Sequence, residues 1–169
     1  MSNMEKGQVF SADVLLAVIV FTLILTLVSS LLHETQLTGE NERQQLRLSK
    51  AAGDAIEQLL SDAGSPVNWE QLDDENVIHT LGLIDPHGTI SVEKWSALQD
   101  WNRTHYAFVQ RWLGIPDMNY HIRITNLSQE LIEEAGISPF DVNNVGSVIL
   151  PSIYNGNIVF VQVQVHQNG

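Results

Sequence analysis

Between Val14 and Leu32 about 19 consecutive residues carry no charge. At 1.5 Å per residue, a helix of that length nearly matches the roughly 30 Å hydrocarbon core of a bilayer. Thr22, Thr26, Ser29 and Ser30 are the polar interruptions, too few to give the polar stripe of an ordinary core helix. The stretch therefore predicts a membrane-spanning helix. A removable secretory signal has an apolar core of about 7–15 residues followed by a small-residue cleavage site. Here His33-Glu34-Thr35-Gln36-Leu37 follows instead, so the helix is expected to remain on the mature chain.

Ahead of the stretch lie Lys6, Gly7 and Gln8, then Val9-Phe10-Ser11-Ala12 and the acidic Asp13. A basic residue, Gly and Gln placed directly before a single apolar N-terminal helix resembles the class III signal peptide of archaeal type IV pilin-like proteins. The resemblance implies cleavage after Gly7 by a prepilin peptidase, with Gln8 as the mature start. In that family an acid near the new N-terminus pairs with a neighbouring subunit's terminal amine, and here Asp13 would take that assembly role. Adhesive pilins of the family often read Gln-x-Ser-x-Glu, whereas this chain is one residue longer and carries Asp. At about 4 Å and an effective dielectric near 20, such a pair gains roughly 4 kcal/mol before desolvation. Asp13 has an alternative reading as the N-terminal cap or water edge of the helix.

Residues 33–63 contain no proline and are rich in Glu, Gln, Leu, Arg and Ala, so the helix is expected to continue. Leu46, Ala52, Ile56, Leu59 and Leu60 make an apolar stripe that would dock on a small head, and Gly64-Ser65-Pro66 would end the helix. This order divides the chain into a leader (1–7), a transmembrane or filament-core helix (8–32), an amphipathic continuation (33–63) and a head (64–169). The expected fold class is α+β and pilin-like: a long N-terminal membrane or filament-core helix, then short helices and a C-terminal antiparallel sheet.

Within the head, Asp85-Pro86-His87-Gly88 reads as a turn and Ser91 as a helix cap. Trp95, Leu98, Phe108, Val109, Trp112 and Leu113 read as core, with Asn102 as a break between two helices. The segment from Trp69 through Leu81-Gly82-Leu83 to Leu113-Gly114 also looks like archaeal pilin-like proteins. Tyr120, Ile122 and Ile124 alternate as one strand face, and Leu127–Ala135 predicts a short helix. Val145–Tyr154 and the alternating Val159, Val161, Val163 and Val165 flank Asn155-Gly156-Asn157, a hairpin signal. Pro151 marks the first of these as an edge strand or a bulge.

Twenty acidic residues against eight basic ones give a net charge of -12, which repels phosphate backbones and excludes nucleic acid as a partner. The chain has no cysteine, so disulfides, thiolate metal sites and cysteine nucleophiles are excluded. His33, His79, His87, His105, His121 and His166 are scattered without ligand spacing, and Asp73-Asp74-Glu75 lacks the Gly-bearing calcium loop. No catalytic residue, metal site, cofactor or enzymatic activity is expected. Asn102-Arg103-Thr104 and Asn126-Leu127-Ser128 are N-glycosylation sequons.

The resemblance implies a structural subunit, major or minor, of an archaeal type IV pilus-like filament with a possible adhesive role. The expected location is a single-pass membrane protein with an extracellular head, joining a surface filament on assembly. Its expected partners are the membrane, the prepilin peptidase and other pilin-like subunits in a homo- or hetero-oligomer. The alternative is a single-pass anchored binding or sensor protein that never polymerises and contacts a ligand through aromatics such as Trp69 or Trp101.

Overall fold

A computed structural model describes the backbone of residues 3–140, 142 and 144–167, and within that range the side chains of all but 3–13 and 30–41. The chain divides into two units, Met1–Arg43 and Gln44–Gly169. The first helix, α1 (Asn3–Ser61), contributes to both.

In the first unit the longest fully described run of α1 is Val14–Ser29, 16 residues, or roughly 24 Å of helix. Among the described residues no helix is long and apolar enough to cross a membrane. The expected long membrane helix and the single-pass location with an extracellular head are corrected accordingly. The membrane anchor of the alternative binding or sensor reading is corrected with them.

The second unit begins with the back of α1. Leu48, Ala52, Ala55, Ile56 and Leu59 are buried there, spaced so that they share one face of a helix. Leu46, expected in this stripe, is instead 70% exposed, because it points away from the face that Leu48 defines. The free carbonyls at the end of α1 find partners just after Gly82. Leu83 N–H donates to Leu59 O at 2.8 Å and Ile84 N–H to Asp62 O at 3.2 Å, satisfying groups that a helix end leaves open. Gly64 then takes a left-handed φ of 86° and lies against Trp69, leaving no room for a side chain.

Two-residue strands β1 (Gly64–Ser65) and β2 (Thr80–Leu81) pair around the 3-10 turn Trp69–Gln71. Helix α2 (Val92–Thr104) starts on Ser91, whose hydroxyl accepts from Lys94 N, and α3 (Tyr106–Trp112) follows it. The expected break at Asn102 falls at His105 instead, where φ -140° and ψ 48° leave the helical region. Asn102 stays inside α2 and its Oδ1 accepts from Tyr120 Oη at 2.7 Å.

A four-stranded antiparallel sheet closes the unit. It comprises β3 (Asn119–Thr125), β4 (Leu131–Gly136), β5 (Val145–Tyr154) and β6 (Asn157–His166), ordered β4-β3-β6-β5. Val163 lies opposite both Ile122 and Val148, which fixes the register. Tyr120, Ile122, Ile124 and the four alternating valines of β6 are buried in one core with α1, Trp69, Trp95 and Leu98. β5 is an edge strand carrying Pro151, as the sequence suggests. Its free side is partly covered by the Ile90 N–H bond to Ile153 O and by Gln45, whose Nε2 donates to Val145 O.

The expected helix Leu127–Ala135 is absent. Asn126 Oδ1 accepts from Ser128 N and Glu130 N, Gln129 adopts φ 64°, and β4 then pairs along β3. Helix-favouring residues here yield to a ladder that buries Ala135 against the sheet. The described architecture is therefore α+β, with four helices counting the 3-10 turn and two antiparallel sheets.

Candidate assembly surface

The described apolar stretch of α1 exposes its side chains on all sides. Val14, Leu15, Val20, Phe21, Ile24 and Leu27 are between 47% and 65% exposed, and no polar stripe divides them. With the other large apolar residues of the stretch, this amounts to on the order of 1,000 Å² of apolar surface, against the few hundred that a soluble monomer tolerates in one patch. The two threonines within it do not offset this. Thr22 Oγ1 donates to Val18 O and Ile19 O, and Thr26 Oγ1 to Thr22 O and Leu23 O, each at 2.9 Å. With their hydroxyls already bonded to their own helix, both can be buried against another surface without leaving a polar group unpaired.

The residues expected to carry processing and assembly, Lys6, Gly7, Gln8 and Asp13, lie in α1, but their side chains are outside the described residues. His33 falls outside them too.

No family model, curated protein or solved structure matches the chain.

The two sequon asparagines are both engaged. Asn102 accepts from the Tyr120 phenol, and Asn126 Nδ2 donates to Glu130 Oε2 at 2.7 Å in the β3–β4 turn. The aromatics expected to greet a ligand are buried: Trp69 is 0% and Trp101 9% exposed. Trp69 Nε1 donates to Gly82 O at 2.9 Å, and Trp101 packs edge-on to Trp112. An aromatic's position in the sequence does not reveal which side of a helix or turn it occupies.

His121 and His166 are buried, one beside Glu134 Oε2 at 3.2 Å and the other with Nε2 against Ile137 O at 3.0 Å. Among the described residues no group of three or more His, Asp or Glu converges on a metal-sized site. Asp73 and Asp74 are exposed, and Asp74 Oδ1 accepts from Asn76 N in a tight turn.

Sequence reasoning missed one cavity of about 650 Å³, lined by Glu70, Asp73, Glu93, Asp100, Trp101 and His105 among others. It is assembled from two segments some twenty residues apart, and no spacing within either announces it. Lys94 points elsewhere, its Nζ donating to Ala63 O and to Val67 O. Desolvation by burial pulls its pKa below the ordinary lysine value, against the opposing pull of the Glu70, Asp62 and Asp85 carboxylates.

Proposed function

We propose that the chain is a structural subunit of an archaeal type IV pilin-like surface filament, cleaved after Gly7 by a prepilin peptidase. Residues 14–29 then serve as the packing surface between copies. The carrying observation is the apolar stretch exposed all round, whose hydroxyls are satisfied within their own helix. Such a surface is stable only when covered. Copies of the same helix cover it without a charge to desolvate, since Val14–Ser29 carries none. The Lys6-Gly7-Gln8 order ahead of that stretch supports processing, because trimming there would place a new amine within reach of a neighbour's Asp13.

Two measurements test this. N-terminal sequencing of the native protein is expected to read from Gln8, and negative-stain microscopy of the mature chain is expected to show filaments. A native chain still starting at Met1 or Met4 would refute the processing. A mature chain that stays single at high concentration would refute the filament.

A further inference from the structure

The two sequons share a composition but not a conformation. Asn102-Arg103-Thr104 closes helix α2, where residues two apart point about 200° from each other around the axis, so amide and hydroxyl face opposite ways. Both side chains are also engaged: Asn102 Oδ1 accepts from Oη of the buried Tyr120 at 2.7 Å, and Thr104 Oγ1 donates to Asp100 O at 2.8 Å. No single catalyst can grip both without unwinding the end of α2. Asn126-Leu127-Ser128 lies instead in the turn between β3 and β4, and residues 127–130 are exposed. There Asn126 Oδ1 accepts from Ser128 N and from Glu130 N, each at 2.9 Å, an Asx-turn that folds the hydroxyl-bearing residue back toward the amide.

We propose that Asn126 accepts an N-linked glycan and that Asn102 does not. The Nδ2 lone pair forms a bond to the anomeric carbon of a sugar carried on a lipid-linked phosphate. The anomeric C–O bond breaks, the phosphate leaves with the electron pair, and one Nδ2 proton passes to a base of the transferring enzyme. Asn126 Nδ2 carries two hydrogens, one of which is bonded to Glu130 Oε2 at 2.7 Å. Replacing the other with a sugar leaves that bond and both bonds to Oδ1 in place, so the modified turn keeps its fold. Space is available as well. Asn126 opens on a groove of about 530 Å³ lined by no charged residue, whose Leu127, Ile132 and Ile158 are exposed. A glycan leaving there desolvates no ion and displaces no buried side chain. This assignment rests on the surface filament proposed above, since sequons are used on exported chains.

Peptide mass mapping of the full chain purified from its native cells tests this. The peptide holding Asn126 is expected to carry added sugar mass, and the peptide holding Asn102 is expected at its unmodified mass. Asn126→Gln should remove the addition. So should Ser128→Ala, which keeps the backbone and amide bonds of the turn, takes away only an exposed hydroxyl and is expected to melt with the parent. Ser128→Thr should retain the addition, because it restores the hydroxyl. Added mass that survives Ser128→Ala, or that sits on Asn102, would overturn the assignment. Filaments built from chains unmodified at Asn126 would also overturn it and leave the filament reading standing. A glycan at Asn126 on a chain that never assembles would support the assignment and remove the filament. A chain neither modified nor assembled would remove both.

Discussion

Gly146 sits where β5 passes closest to the back of α1. A Cβ built there would lie 2.1 Å from Leu48 C, 2.2 Å from Leu48 O and 2.4 Å from Ser49 N, all backbone atoms. Ordinary contact begins near 3.4 Å, so Gly146→Ala forces strand and helix about 1.3 Å apart. No rotamer can relieve this, because nothing in the clash is a side chain. The separation would open the contact that buries Leu48, Val165 and Ala52 in one core. Overpacking of this kind typically costs 1–3 kcal/mol, and immovable backbone puts Gly146→Ala at the top of that range, about 3 kcal/mol. For a unit of this size, at about 4 °C per kcal/mol, the melting temperature should fall by roughly 10 °C. Circular dichroism melts measure it, with Gly53→Ala as the control. Gly53 has nothing within 4 Å of a new Cβ and lies inside α1, so alanine there should stabilise by about 0.5–1 kcal/mol. A Gly146→Ala melt within about 2 °C of the parent would refute the close approach.

Burial pushes the Tyr106, Tyr120 and Tyr154 phenols above the ordinary tyrosine value, Tyr120 furthest. The folded state holds these protons more tightly, so their stabilising effect is complete below about pH 10 and is lost as pH rises beyond it. Phenolate absorbance should therefore rise together with the loss of near-ultraviolet dichroism, and ionisation well before unfolding would contradict it. Trp69→Phe leaves Gly82 O without its indole donor and a small void in the core, which together should cost about 1–3 kcal/mol or more in urea unfolding. Replacing Val20 by Glu should abolish assembly while leaving the melt of the second unit unchanged, since Val20 lies in the first unit. Pelleting assays that show normal filaments would count against packing through residues 14–29.

The sequence by itself determined the features that depend on local pattern. Alternation of apolar residues placed Tyr120, Ile122, Ile124 and the β6 valines on one buried face, and Asn155-Gly156-Asn157 gave the hairpin. Ser91 capped its helix because a cap is a contact between near neighbours. It did not reveal that Leu127–Ala135 would pair as a strand, that Leu48 and not Leu46 would face the core, or that Trp69 and Trp101 would be buried. Each of these is decided by what packs opposite, from residues far along the chain. The same holds for the acidic cavity, which only the tertiary fold assembles from residues 70–73 and 92–105. Local free-energy preferences of a few tenths of a kcal/mol are readable in a single segment, but burial worth one or more kcal/mol per side chain is settled only between segments.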